Sequence, residues 1–227
     1  MKFIVFGLGH FGKSLAIRLT ELGHEVIGAD NDMKKVEQFK DKITHTVCLD
    51  ATDRDAVGSL PLKDANAVIV AIGEDEAASI MATAVLTQFN LKRIIARSVS
   101  DLQKTVLDAM KIEEFVMPEE ESAERLAVRL VNLNIIDSFK VSDKYSIIET
   151  VVPDRYIGKT LIEADLTNQY KVIVLTTIKT TEVETKGVRK TVKEASGIAT
   201  SGTLLEANDL LVIFGEMENI NKLIDYS

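Results

Sequence analysis

Cysteine is almost missing from this chain. Cys48 stands alone, so no intramolecular disulfide can form, in keeping with a reducing compartment. Positive charge is also short. Lys and Arg number 27 against 35 Asp and Glu, a formal net charge of -8. That balance argues against a nucleic-acid-binding surface, which shows a basic stripe, and against direct adsorption to anionic lipid. Long apolar runs are lacking too. The opening run Phe3–Phe6 is too short for a signal-peptide core, and no stretch approaches the roughly 20 apolar residues that span a bilayer. These deficits predict a cytoplasmic protein that reaches a membrane only through a partner.

What is present builds a core. Hydrophobic residues make up 46% and charged residues 27%, the mixture of a folded chain, and 227 residues suit two ordinary domains better than one. Short apolar runs alternate with amphipathic helical stretches over the first two-thirds. Strands are expected at Phe3–Phe6, Glu25–Ala29, His45–Leu49, Ala67–Ile72, Arg93–Ala96 and Phe115–Met117. Helices are expected between them, at about Gly12–Leu22, Asp32–Phe39, Asp53–Leu60, Glu74–Phe89 and Leu102–Met110. This alternation predicts an α/β fold, a Rossmann-like doubly wound parallel sheet with helices on both faces. A helix follows from Glu119 to about Leu133, with Ala123, Leu126, Ala127, Leu130 and Val131 on one stripe.

The texture then changes. Phe139–Val152 and Val172–Thr180 are β-rich, Leu210–Phe214 is a buried run, and polar Thr181–Lys193 reads as an exposed hairpin or loop. The division falls near Ile136–Ser138: residues 1–136 form the nucleotide-binding domain, residues 137–227 a small α+β domain. The helix Glu74–Phe89 is apolar on nearly every face, through Ala77, Ala78, Ile80, Met81, Ala84, Val85 and Leu86. One sheet face cannot cover all of it, which predicts a symmetric dimer contact or deeper intrachain burial.

The first strand runs into Gly7-Leu8-Gly9-His10-Phe11-Gly12. Alone, a G-x-G-x-x-G pattern is weak. Here a strand precedes it and a helix follows, as a phosphate-cradling loop requires. Gly7 permits the tight turn, Gly9 lets the backbone approach phosphates, and Gly12 lets helix and strand pack closely. The phosphates would meet free N–H groups at the positive end of the helix dipole. Asp30 closes the second strand about 20 residues later, where a carboxylate accepts from both ribose hydroxyls and repels a 2′-phosphate. The expected ligand is an adenine-containing nucleotide, with NADP disfavoured. His24 and His45 sit in no metal-ligand spacing and read as structural.

Further segments extend the pattern in order: Leu49-Asp50-Ala51-Thr52, Val70-Ala71-Ile72-Gly73 and Ala96-Arg97. Each lies at or just past a strand's carboxyl end, where open α/β sheets bind ligands. Together with Gly7–Gly12 and Asp30, they make the chain resemble the RCK family, the regulators of potassium conductance, in its TrkA-type branch serving bacterial Ktr/Trk potassium uptake. The later part resembles that family's companion domain, RCK_C or TrkA-C. The residues that carry this are Val151-Val152-Pro153, Ile157-Gly158-Lys159-Thr160-Leu161 and Asn208-Asp209-Leu210-Leu211-Val212-Ile213-Phe214-Gly215.

The resemblance implies a gating regulator rather than an enzyme. Its partner would be a membrane-embedded potassium-translocating subunit (KtrB/TrkH-like), and it would assemble as dimers in an octameric ring. It implies that the loop backbone holds phosphates and Asp30 the ribose. Asn31, Asp32 and Lys35 would lie beside the nucleoside, although Asp32 stands where Asn is common. Asp50, Ala51 and Thr52 would edge the adenine, and Ile72 and Gly73 would wall the sugar and phosphates. Arg97 would neutralise phosphate. Glu119 would share a Mg²⁺ or Ca²⁺ ion with the phosphates. Blander readings stand beside these. Asp50 would cap the segment starting at Thr52-Asp53, Arg97 would be a surface arginine, and Glu119 would belong to an acidic first helical turn with Glu120 and Glu121.

Two departures matter. Relatives carry Arg at the position of His10, and an imidazole is a weaker anion partner than a guanidinium. In the second domain, some relatives bind cyclic di-AMP through a basic residue, but Ala164–Tyr170 here holds no arginine. The basic residues of Lys186–Lys193 read as a solvated hairpin. The competing function is a dinucleotide-dependent oxidoreductase. It needs an acid–base residue beside the nicotinamide, and the chain after Phe139 contains neither His nor Cys.

Overall fold

Ile4, Val5 and Phe6 are all buried, because their strand is covered on both faces. Ile4 and Phe6 point into one core with Val68, Val70, Ala82 and Leu86, whereas Val5 points into another with Leu8, Ala16, Ile69 and Ala71. The computed structural model that shows this describes residues 1–185 and 188–225. By internal contacts the chain divides into two compact units, Met1–Glu121 and Ser122–Ser227.

The first unit contains β1 (Lys2–Phe6), β2 (Glu25–Asp30), β3 (His45–Cys48), β4 (Ala67–Val70), β5 (Ile94–Arg97) and β6 (Glu114–Val116). They form one sheet in the order β3-β2-β1-β4-β5-β6, every pairing parallel. Helices α1 (His10–Glu21), α2 (Met33–Phe39), α3 (Arg54–Gly58), α4 (Glu76–Thr87) and α5 (Asp101–Ala109) link them. This is the expected Rossmann-like sheet. Strand order reverses between β1 and β4, which splays the loops apart above their carboxyl ends.

Helix starts follow local chemistry. Asp32, Asp53, Asp75 and Ser100 each accept a backbone N–H from the first turn of α2, α3, α4 and α5. Of these five helices, α1 alone lacks a side-chain cap. Helix α4 is less covered than its composition predicts. Ser79, Ala82, Thr83 and Leu86 are buried, but Met81 is 54% exposed.

Helix α6 (Pro118–Val131) leads into the second unit, which adds β7 (Ile135–Lys140), β8 (Tyr145–Val151), α7 (Leu161–Ala164), α8 (Leu166–Tyr170), β9 (Ile173–Thr185), β10 (Val188–Ala195), β11 (Leu210–Glu216) and α9 (Met217–Asp225). The sheet runs β10-β9-β11-β8-β7, all antiparallel. Ile148, Leu211 and Ile213 form its core with Ile220, Leu223 and Ile224 of α9, whose spacing lays one apolar stripe on the sheet.

The expected division at residues 136–138 falls inside β7, where Ile135 is already buried in the second core and Phe139 pairs with Ile147. The contacts divide the chain before most of α6 rather than after it, because Val128 packs on that second core. The apolar stripe of α6 otherwise finds little cover: Leu126, Leu130 and Val131 stay exposed. The polar stretch expected as a hairpin or loop is the β9–β10 hairpin. Lys186 and Gly187 lie outside the described residues, as do the side chains of 182–190, including Arg189. Lys193 is paired with Glu149.

Candidate functional site

The glycine loop is built by contacts that exclude side chains. Gly7 has φ +92°, and its N–H donates to the Ala29 carbonyl at 2.7 Å, tying the turn to β2. A Cβ on Gly12 would sit 1.9 Å from the Gly7 carbonyl oxygen, so α1 can start this close to β1 only with glycine there. Gly9 differs: a Cβ at that position would meet nothing within 4 Å. It is the N-cap of α1 and offers no capping side chain, so the helix mouth presents its first amides to the crevice.

Asp30 lies beneath the loop with its side chain 5% exposed. Its Oδ2 accepts the Leu8 N–H at 2.7 Å and its Oδ1 the Asp32 N–H at 2.9 Å. Lys35 Nζ is 3.7 Å from Oδ2. The carboxylate is therefore held in one orientation before any ligand arrives. On the far wall, Asp50 accepts both the N–H and the hydroxyl of Thr52, at 2.8 and 2.7 Å. Those two bonds hold its carboxyl below the usual range. Asp53, not Asp50, caps α3.

The crevice has a volume of 380 Å³. Of the expected residues, Gly7, Gly9, His10, Asp30, Asn31, Lys35, Asp50, Ala51, Thr52, Ile72, Gly73, Arg97 and Glu119 line it. Leu8, Phe11, Gly12 and Asp32 do not. The Leu8 side chain is buried in a core, Gly12 packs on Gly7, and Asp32 turns away to cap α2 through the Lys34 N–H at 2.8 Å. Phe11 lies under Arg97, its ring centre 5.9 Å from the guanidinium carbon.

Arg97 lines the crevice beside Gly73. Its side chain is 14% exposed and its Nη2 donates to Glu119 Oε1 at 2.5 Å. Its Nε is buried with no hydrogen-bond partner. The group packs on Gly73, where a Cβ would stand 2.2 Å from Nη1. The sequence reading missed Glu74 and Asp75 as lining residues. Their signal was position, directly after Gly73 at the end of a strand.

Among the described residues, no group of three His, Cys, Asp or Glu side chains is placed to hold a metal. Glu119, the carboxylate expected beside a cation, accepts from Arg97 Nη2. The phosphates and ribose of a nucleotide fit the crevice on three counts: the open space over Gly9, the fixed Asp30 and the unfilled Arg97 Nε.

The TrkA-N domain profile matches residues 3–118. The chain is 31% identical over 221 residues to the Ktr system potassium uptake protein C of Bacillus subtilis (strain 168), across 97% of this chain and 95% of that protein. It is 26% identical over 223 residues to the Ktr system potassium uptake protein A of Vibrio alginolyticus, across 98% and 96%. Among solved structures, the GsuK RCK domain superposes with a TM-score of 0.63 at 15% identity, across 99% of this chain and 47% of that one. The GsuK channel bound to NAD gives 0.62 at 15%, across 98% and 38%. The chain thus spans less than half the length of those solved chains, and the likeness shows a shared fold.

Proposed function

The chain belongs to the TrkA-N family and to the Ktr potassium-uptake proteins, and from that premise we propose that it is the nucleotide-binding regulatory subunit of a potassium-uptake system. The observation that carries the ligand side is the pairing of an uncapped helix mouth with a fixed, buried Asp30 across one crevice. Phosphates meet the amides of residues 9–12 and Arg97; the ribose meets Asp30. The adenine lies toward Asp50 and Thr52. A nucleotide of this kind, ATP, ADP, NAD or NADH, supplies binding energy and no bond is broken. Mg²⁺ or Ca²⁺ near Glu119 would offset phosphate charge.

The partner is a membrane potassium-translocating subunit, as the relatives' names suggest, and it holds the chain at the inner face of the plasma membrane. No helix among the described residues is long and apolar enough to cross a membrane itself. The exposed Met81 on α4 and Leu126, Leu130 and Val131 on α6 supply apolar faces for self-association as dimers and rings. An oxidoreductase reading finds no support, since no His or Cys follows Phe139 to serve a nicotinamide.

A thermal-unfolding panel with ATP, ADP, NAD and NADH tests the reading. At one hundred times Kd a true ligand adds about 2.7 kcal/mol of stability, and the nucleotide is recovered unchanged. No stabilisation by any of the four, or steady turnover of NADH with a carbonyl substrate, would sink it.

A further inference from the structure

We propose that Gln103, which does not itself line the crevice, is the positioning residue for Arg97: its side-chain amide pins the end of β5 to α4 and so sets how tightly the site grips a ligand's phosphates. This rests on the nucleotide reading above, which puts the phosphates against Arg97.

Gln103 stands where an apolar residue is expected. It lies in the first turn of α5, and Leu107, one turn further along the same face, is fully buried. Gln103 is itself 1% exposed. An amide taken out of water there is costly unless its polar atoms are paired. Both are. Oε1 accepts the Val99 N–H at 2.8 Å. Nε2 carries two hydrogens and donates to the Ser79 hydroxyl at 3.1 Å and to the Arg97 carbonyl at 3.2 Å. One side chain thus ties α5 to the last residue of β5, to the loop that follows it and to α4.

The anchor on α4 is held in turn. Ser79 and Thr83 are fully buried, and the Thr83 hydroxyl donates to the Ser79 carbonyl at 2.8 Å. Asp75 and Ala78, just before Ser79, line the crevice. Nearer the surface Ser100, the cap of α5, donates to Glu76 at 2.9 Å. Arg97 needs this precision. Its guanidinium fits a close seat: a Cβ on Gly73 would stand 2.2 Å from Nη1, and Phe11 lies beneath. A guanidinium fork grips two phosphate oxygens only in the right orientation, and a fully satisfied buried network is what fixes such an orientation. Releasing the Arg97 carbonyl lets the strand end shift and takes the fork off the phosphate.

Calorimetric titration of the full chain with ADP and NAD, alongside denaturant unfolding, tests this in the wild type, Gln103→Met, Ser79→Ala, Arg97→Gln, the pair Gln103→Met with Arg97→Gln, and Leu107→Ala. Gln103→Met, of similar length but without the amide, weakens nucleotide binding about tenfold. Ser79→Ala, a smaller change that serves if Gln103→Met does not fold, weakens it about two- to fivefold. With Arg97→Gln already present, Gln103→Met brings no further loss. Leu107→Ala destabilises at least as much as Gln103→Met, yet its affinity stays within about twofold of wild type, which separates positioning from general loosening. Should Arg97→Gln abolish binding, the contrast between Ser79→Ala and Leu107→Ala decides. Wild-type affinity in both Gln103→Met and Ser79→Ala overturns the proposal, as does an undiminished further loss without the Arg97 side chain or an equal loss in Leu107→Ala. A wild type that binds neither nucleotide overturns the nucleotide reading itself, and this inference with it.

Discussion

Gly9 and Gly12 sit three residues apart in one loop and fail differently when changed. An added methyl on Gly12 collides with a backbone carbonyl at 1.9 Å, and neither partner is a flexible side chain. Gly12→Ala should therefore cost about 1–3 kcal/mol of stability, read from unfolding midpoints, and lower nucleotide affinity as a consequence. Gly9 has φ -65° and ψ -169°, allowed for any residue, with empty space where a Cβ would go. Gly9→Ala should shift unfolding by less than about 1 kcal/mol yet weaken nucleotide binding at least about tenfold, because the methyl points where phosphates must lie. Equal losses of stability in both variants would remove the case for Gly9 as a ligand-facing position. The fingerprint made this pair legible from spacing alone. Asp30 was legible too, because a carboxylate ending the second strand has a fixed place in the pattern. Asp32 carried two readings, one near the cap of the helix that it opens and one beside the nucleoside; the structure gives the cap. The Arg97–Glu119 pair was beyond reach, since the two lie 22 residues apart on different elements.

Elements of the first unit were read within a few residues, because two-sided burial gives continuous apolar runs and aspartate caps mark helix starts. In the second unit the reading found β-rich stretches but not their pairing, and it missed α9, where Ile220, Leu223 and Ile224 carry a short stripe. Antiparallel strands joined by variable loops leave partner choice to long-range contacts. Two carboxylates of this unit make opposite pH predictions. Burial pushes the Asp137 carboxyl up, but the Arg125 fork, the Ser138 N–H and the charge of Arg129 outweigh it and hold it below its ordinary value. A depressed native pKa contributes stability above the unfolded-state value near 4 and loses it as pH falls through the native value. Asp137→Asn should thus cost up to about 1 kcal/mol at pH 7, discounted for exposure, and nearly nothing at pH 2.5. Burial raises the Asp209 carboxyl, reinforced by Glu206 and opposed by Lys179. A raised native pKa lowers stability as pH climbs through that window, so Asp209→Asn should raise the unfolding midpoint at pH 7 and leave it unchanged at pH 2.5. Denaturant titrations at both pH values check the pair, and a destabilised Asp209→Asn at pH 7 would show that its charge is held by contacts rather than penalised by burial.

Across the chain, regulation asks more than binding. Nucleotide in a crevice of the first unit biases a partner only if it binds two conformations with different affinity, and useful coupling is about 1–3 kcal/mol. Helix α6 is the element placed to carry it: Glu119 in its first turn lines the crevice, and Val128 further along packs on the second unit's core. That core, built on Ile148, Leu211 and Leu223, shares no residue with the cores around β1. A ligand that merely fills the crevice should protect residues 7–12, Asp30 and Asp50–Thr52 from amide exchange and leave everything beyond unchanged. A regulatory ligand should also alter exchange along α6 and in β7–β8, by about 5- to 150-fold in the local opening equilibrium for coupling of that size. Exchange measured by mass spectrometry, with and without saturating ADP in Mg²⁺, separates the two. Changes confined to the crevice would leave the protein a nucleotide binder with no route from its ligand to its partner, and the regulatory reading would fall while the binding site stood.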